Sequence, residues 1–560
     1  MCRNHQGWLV SLIIILLLVA CQPVQPVVNR GEAPQGATNP VIDLQIEPLA
    51  TPSPCTDSFV AHKLDHITTI EGQVVRLFES NGAGLAINDL DNDGDLDLVL
   101  ANLAGPNAIF WNEGDLIFRK ETLAHGDSRA VAIVDVDGDG RQDIVFTRRT
   151  IAPTLWRNQP GAQPNIPTFV ETFLSGVNKQ AYAMTWGDPD GDGDLDLVTG
   201  SYDLTLQMAL GDKFRFGEGA GLHYYEQREG VFVRHFLDRH AQTLALIFFD
   251  VNQDGRPDIV AGNDFDVPDE IWLNTDTGWQ AAPPFTATTQ NTMSFDAGDI
   301  NNDGRFELFA TDMMPYAHDA ATMAAWQPVM DRMPHEMHEG DPQMMENVLQ
   351  IADPTGFING ALAAGIAETG WSWSSKFGDL DNDGLLDLYV VNGMAALDLF
   401  AHLPNNELVE ENQVFHNQGD GLFQPAPTWG LNSTAGGRGM SMADLDQDGD
   451  LDIVVNNLLS PAMIFENQLC GGAGVEVDLF WPTSRNTRAV GAQLVLHTDQ
   501  GDFYREVRAT SGYLSGDPAR VHFGLPADAT PQQVEILWPD GKRSQVELSS
   551  MGVLLQVTRG

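Results

Sequence analysis

Seven stretches of this chain place carboxylates at alternate positions of a nine-residue run. The first reads Asp89-Leu90-Asp91-Asn92-Asp93-Gly94-Asp95-Leu96-Asp97, and further copies begin at Asp135, Asp188, Asp250, Asp299, Asp379 and Asp444. Counting from each first Asp, positions 1 and 5 are Asp and position 6 is Gly in every copy. Ca²⁺ takes six to eight oxygen ligands, and alternate carboxylates on a tightly curled loop supply them. The Gly allows the sharp turn, and the backbone carbonyl at position 7 can complete the set. An all-oxygen donor set favours calcium over softer metals.

The candidate ligands at positions 1, 3, 5 and 9 form seven sets. They are Asp89, Asp91, Asp93 and Asp97; Asp135, Asp137, Asp139 and Asp143; Asp188, Asp190, Asp192 and Asp196; Asp250, Asn252, Asp254 and Asp258. The last three are Asp299, Asn301, Asp303 and Glu307; Asp379, Asp381, Asp383 and Asp387; Asp444, Asp446, Asp448 and Asp452. Up to seven Ca²⁺ are expected. Asn252, Asn301 and Glu307 lower the charge or lengthen the ligand arm, so the fourth and fifth loops should bind more weakly. Asp, Asn and Gly also favour plain turns, but a turn does not demand carboxylates at all four positions.

An EF-hand opens the same way but needs a bidentate Glu at position 12 and flanking helices. Position 12 here is Leu100, Phe146, Thr199, Ala261, Ala310, Val390 and Val455. These loops must therefore lie between strands. Each runs into an apolar stretch such as Leu98-Val99-Leu100, Ile144-Val145-Phe146 or Ile453-Val454-Val455. A second strand often ends in an aromatic with Asn just after it: Trp111-Asn112, Trp156-Arg157-Asn158, Trp272-Leu273-Asn274, Phe415-His416-Asn417 and Phe465-Glu466-Asn467. Period-two strands punctuated by Gly, Asn and Asp turns make the chain all-β. The copies start 46 to 80 residues apart, enough for one four-stranded blade each. Seven such units predict a seven-bladed β-propeller over residues 53–468. A linear β-solenoid is the rival, but its repeats are shorter and more even.

From about Gly471 the acidic loops stop. Strand-like runs continue at Val475 to Phe480, Val490 to Thr498, Phe503 to Thr510, Val521 to Leu525, Val534 to Trp538 and Val553 to Val557, with a turn at Pro539-Asp540-Gly541. Residues 471–560 therefore read as a separate small β-sandwich-like domain.

The chain has 560 residues and a formal charge of −48, with 43% hydrophobic residues. The charge repels nucleic acid and anionic lipid, and the hydrophobic content argues for a folded chain. Trp8 to Ala20 is an apolar run too short to span a bilayer. It ends in Leu18-Val19-Ala20-Cys21, which resembles the lipobox of bacterial lipoproteins. That resemblance implies a signal peptide over 1–20, lipidation of Cys21 and an exported chain held to a membrane by its lipid alone. Residues 21–52, rich in Pro, Val, Gln and Asn, read as a flexible tether. Cys55 and Cys470 flank the repeats, so a disulfide between them would fasten the ends of a closed ring.

The repeats are similar to FG-GAP and VCBS repeats, the integrin α-subunit class of calcium-loop propellers. The C-terminal segments Val490-Gly491-Ala492, Ser511-Gly512-Tyr513-Leu514, His522-Phe523-Gly524-Leu525 and Trp538-Pro539-Asp540-Gly541 resemble the ASPIC and UnbV domain. Together they resemble the cartilage acidic protein family and its bacterial relatives, from about Asp65 to Gly560. The resemblance implies calcium binding and an extracellular interaction role with a protein or glycan, and no defined reaction. The alternative is a polysaccharide lyase or hydrolase, which would need acid, base and Arg or Tyr side chains clustered on the channel face opposite the acidic loops. Nucleophile elbows, zincin helices and Walker loops do not occur in convincing form.

Two further groups invite a functional reading. Eight methionines between Met313 and Met345, with His318, His335 and His338, could bind copper; an insertion packed on the propeller accounts for them more simply. Trp186, Trp371 and Trp373 precede acidic loops and read as blade packing before a sugar platform.

Overall fold

A computed structural model describes residues 40–50, 55–124, 126–161, 167–211, 220–265, 267–332, 341–354 and 356–560. The signal segment, Cys21, Met333, His335, Met337 and His338 lie outside them.

The repeats form seven four-strand units, six of them consecutive along the chain. Their first strands are Leu85–Asn88, Ser128–Val134, Ala183–Gly187, Thr243–Phe249, Ser294–Gly298, Gly370–Gly378 and Gly437–Ala443. Each touches the next, and the last touches the first, so the units close into a ring around an axis. These strands are almost wholly buried. They read as mostly apolar or small-residue runs because both faces pack on neighbouring blades, with Arg129, Asp296, Lys376 and Arg438 as buried charges among them. Outer strands such as Phe118–Leu123 face water and alternate less strictly.

The seventh unit takes its outermost strand from the other end of the repeats. Val60–Ile67 pairs antiparallel with Pro461–Glu466. Nearby, Cys55 and Cys470 form a disulfide with Cα atoms 5.1 Å apart across a sequence separation of 415. In the chain-entropy picture a loop that long strongly restricts the unfolded state. Replacing both cysteines by serine is expected to lower stability by about 2–5 kcal/mol. Urea unfolding of the oxidised protein and the double variant would measure it, and coincident curves would contradict it.

Residues 473–559 supply most of a two-sheet sandwich. One sheet runs in the order Ile42–Pro48, Val553–Arg559, Ala473–Phe480, Val521–Leu525. The other runs Asp502–Glu506, Gln493–Thr498, Pro531–Leu537, Arg543–Glu547. Val475, Phe523 and Leu555 meet Leu494, Leu496, Val534 and Ile536 in one buried cluster. Ile42–Pro48 corrects the reading of residues 21–52 as a tether throughout. Its register runs from Ile42↔Arg559 to Pro48↔Val553. Only Ile42 and Leu44 are half-buried within it. Backbone pairing rather than side-chain burial holds this edge strand, so its hydrophobic pattern is faint.

The sandwich also sends a hairpin into the propeller axis. Thr510–Ser511 pairs with Ser515–Gly516 around a turn in which Gly512 and Leu514 have φ of 68° and 52°. Gly512 N donates to Phe295 O at 2.7 Å, Tyr513 N to Ser374 Oγ at 3.1 Å, and Val131 N to Leu514 O at 3.2 Å. Met440 N donates to Ser515 Oγ, Ser441 Oγ to Gly516 O, and Thr510 Oγ1 to Thr185 Oγ1. Gly516 pairs with Ala86, and the hairpin also touches the strand Thr243–Phe249. All seven first strands therefore contact it. A Cβ on Gly512 would stand 2.7 Å from Ser374 Oγ, which leaves glycine the fitting residue there.

Trp186, Trp371 and Trp373 are buried inside the ring. In the methionine-rich insertion, the helix Ala320–Met330 packs through Trp326 and Val329, Met313 is buried, and His318 lies 2.7 Å from Glu368.

Candidate metal centres

Each acidic loop joins the first strand of a blade to the second, and its position 9 residue opens the second strand: Asp97, Asp143, Asp196, Asp258, Glu307, Asp387 and Asp452. The loops share one backbone scaffold. The position 6 glycine N–H donates to the position 1 carboxylate in all seven, from Gly94 to Asp89 through Gly449 to Asp444, at 2.7–3.2 Å. The position 7 N–H donates to the position 5 carboxylate in all seven, from Asp95 to Asp93 through Asp450 to Asp448. The position 9 carboxylate accepts from the position 2 N–H wherever position 2 is not Pro189.

Position 4 was missed in the sequence. Asn92, Gly138, Gly191, Gln253, Asn302, Asn382 and Gln447 all have φ of 54–72°. Asn and Gly tolerate the left-handed region best, and five of these seven are Asn or Gly. The loop thus curls through two left-handed residues, at 4 and at 6, and turns its carboxylates inward.

Carboxylate oxygens of Asp89, Asp91 and Asp97 lie within 4.8 Å of one another, as do those of Asp135, Asp137 and Asp143, of Asp188, Asp190 and Asp192, and of Asp379, Asp381 and Asp387. The fourth, fifth and seventh loops place their candidates on the same scaffold, including Asn252, Asn301 and Glu307. Burial first, and neighbouring carboxylates after it, push Asp97 and Asp143 up to about 8 and Asp196 up to about 9. Asp387 and Asp452 rise well above the carboxylate range for the same reasons. Asp89 Oδ1, Asp91 Oδ1, Asp188 Oδ1, Asp381 Oδ1 and Asp446 Oδ1 are shielded from water and lack a hydrogen-bond partner. Buried, crowded, unpartnered carboxylate oxygens fit a hard dication, which would supply the missing positive charge.

The Asn after the third-strand aromatic has its own task. Its backbone N–H donates to the position 9 carboxylate, as from Asn112 to Asp97 at 2.8 Å. Its side-chain amide donates to the preceding blade: Asn112 to Leu445 O, Asn158 to Leu90 O, Asn274 to Pro189 O, Asn417 to Ile300 O and Asn467 to Leu380 O, at 2.6–2.8 Å. Each such Asn ties an acidic loop to its neighbour around the ring.

The sandwich covers this loop-bearing face. Arg488 donates to Asn92 Oδ1, Thr487 to Asp135 Oδ2, Asn486 N to Gly193 O and Arg520 to Gly94 O, at 2.6–2.8 Å. On the axis, the far side holds Arg438, fully buried, donating to the carbonyls of Ser80, Gly393 and Gly437. There too Tyr202 donates to Asp264.

A closed ring of four-stranded blades, each opened by the same acidic loop, is a β-propeller of FG-GAP-like repeats. That repeat family matches residues 89–146, 135–199, 250–310 and 391–455, and the ASPIC and UnbV family matches residues 482–560. The chain is an FG-GAP-repeat protein with a C-terminal ASPIC and UnbV domain, homologous over most of its length to cartilage acidic protein 1. The mouse protein is 22% identical over 543 residues, covering 82% of this chain and 70% of its own. The human protein is 23% identical over 513 residues, covering 82% and 69%. Among solved structures, the BP39L lectin from Burkholderia pseudomallei is 11% identical with a TM-score of 0.37, covering 67% of this chain and 92% of that one. BBS1N in complex with ARL6DN is also 11% identical at a TM-score of 0.37, covering 74% and 97%. Among the described residues no helix is long and apolar enough to cross a membrane.

Proposed function

We propose that this protein is an exported binding module whose propeller is stiffened by up to seven Ca²⁺, tethered to a membrane through a lipid on Cys21. Its partner is a protein or glycan outside the cytoplasm. The observation that carries this reading is the single scaffold of the seven loops, each presenting a carboxylate group with buried or unpartnered oxygens. Bound calcium would neutralise those groups and lock each loop against the next blade through the Asn bridges. The homology to cartilage acidic protein 1 supports the same class of molecule.

The enzymatic alternative needs a working acid, base and Arg or Tyr on the side of the axis away from the loops. Arg438, Tyr182, Tyr202 and Asp264 occur there, but all are buried and bonded internally. This arrangement supports packing over catalysis.

The test is metal content. At equilibrium with about 10 mM calcium, with the free calcium of the dialysate subtracted, the purified protein is expected to carry about five to seven calcium ions per chain, given typical dissociation constants of about 10⁻⁴ to 10⁻³ M for extracellular modules. Asp379→Ala should remove one of them. A protein that carries none would leave the loops as acidic turns.

A further inference from the structure

One third-strand position stands beside each acidic loop. Strand register places it directly after the residue paired with the second residue of the second strand, as in Leu98↔Phe110 and Leu388↔Phe415. Around the ring this lateral residue is Trp111, Arg157, Glu226, Leu273, Ile351, His416 and Glu466. Its reach is visible in the second loop, where Arg157 pairs with the position 3 carboxylate of Asp137 at 2.9 Å.

In the sixth loop that residue is an imidazole. His416 Nε2 lies 3.2 Å from Asp381 Oδ2 and 3.5 Å from Asp383 Oδ2. The three donor atoms fall within 4.8 Å of one another. Yet Nε2, shielded from solvent, makes no hydrogen bond, and Asp381 Oδ1 is likewise buried without a partner. An imidazole that meets two carboxylates at ion-pair distance, without a hydrogen bond to either, is placed as a fellow ligand rather than as their donor. The ring is also held from behind. Its Nδ1 lies 2.8 Å from the Gln418 side-chain amide, and Trp429 packs on it with ring centroids 5.3 Å apart. Metal-bound histidines characteristically have their second nitrogen fixed by such a partner. Gln418 can accept from Nδ1–H through its oxygen once Nε2 binds a cation.

Calcium has little use for a nitrogen ligand, whereas zinc-class ions combine imidazole with carboxylates. We propose that the sixth loop is selective for a borderline divalent cation of the zinc class, held by His416 Nε2, Asp381 and Asp383. This rests on the reading of the loops as cation sites and gives one of them a different ion. Since Asp381 and Asp383 also belong to the calcium set, zinc displaces calcium there.

The test loads the purified protein with Zn²⁺ in millimolar calcium, dialyses against calcium alone, and counts both metals. One retained zinc per chain is expected, with one calcium fewer than in the zinc-free sample. His416→Ala and His416→Asn should bind zinc at least about tenfold more weakly and keep the full calcium count. With Co²⁺ in place of zinc, the visible absorption of an imidazole-bound ion should appear in the wild type and vanish in both variants. No retained zinc in a protein that holds its calcium would overturn this inference alone, as would equal retention by the variants. Loss of calcium as well would overturn the broader reading.

Discussion

Chelated with EDTA, the purified protein melts about 7–13 °C below its midpoint in 10 mM calcium. The magnitude follows from linkage. A site at 100 times its dissociation constant stabilises the native state by about 2.7 kcal/mol, and one at ten times by about 1.4 kcal/mol. Five or more sites in that range sum to about 7 kcal/mol or more. The direction follows from charge. The loops hold buried carboxylates such as Asp97, Asp143 and Asp387, pushed upward by burial and by one another. Removing the cations leaves that repulsion uncompensated next to the interface with the sandwich. Sodium chloride at matched ionic strength should restore little, because screening reaches buried groups poorly. Scanning calorimetry in the three buffers decides it, and superimposable melts would sink the calcium account.

Tyr513→Ala is the substitution expected to do most damage at a single residue. Tyr513 is fully buried at the tip of the axial hairpin. Its hydroxyl lies 2.6 Å from that of Tyr182, and its ring sits 5.0 Å from Trp373, itself capped by the Arg438 guanidinium at 4.1 Å. Deleting such a ring costs about 3–5 kcal/mol. Tyr513→Phe keeps the packing but strands the Tyr182 hydroxyl, for a loss of about 1–3 kcal/mol. Urea unfolding should therefore rank wild type above Phe above Ala. Because the hairpin joins the two domains, Ala should also split one transition into two. A variant as stable as wild type would mean that the axis is held by its rim alone.

The acidic repeat was legible because ligand chemistry imposes residue identity. Asp89, Gly94 and Asp97 have few substitutes in their positions, and each recurs around the ring. Position 4 was less legible, since Asn, Gly and Gln are all acceptable where only a positive φ is required. Asn112 and its counterparts stood out as a repeat, but a side-chain amide reaching a carbonyl on another blade leaves no local pattern to read. Ile42–Pro48 was hidden for a related reason, as its partner Val553–Arg559 lies at the far end of the chain. The Ser511-Gly512-Tyr513-Leu514 segment was conspicuous as a motif, but its place on the axis emerges only once seven strands surround it. His416 looked like one more residue of an aromatic-Asn strand until register set it beside Asp381.

The borrowed outer strand of the seventh blade has a consequence for the order of events during synthesis. Val60–Ile67 emerges early, while its partner Pro461–Glu466 is not yet synthesised; 404 residues separate His62 from Glu466, whose side chains meet across the pair. At about 5–20 residues per second the wait is roughly 20–80 s. During that time the first six blades can form one after another, but the circle stays open and the early strand has an unpaired edge. Ring closure therefore waits for residues 461–466, the axial hairpin at 510–516 and the Val553–Arg559 strand follow it, and a truncation anywhere before residue 461 leaves a ring that never shuts.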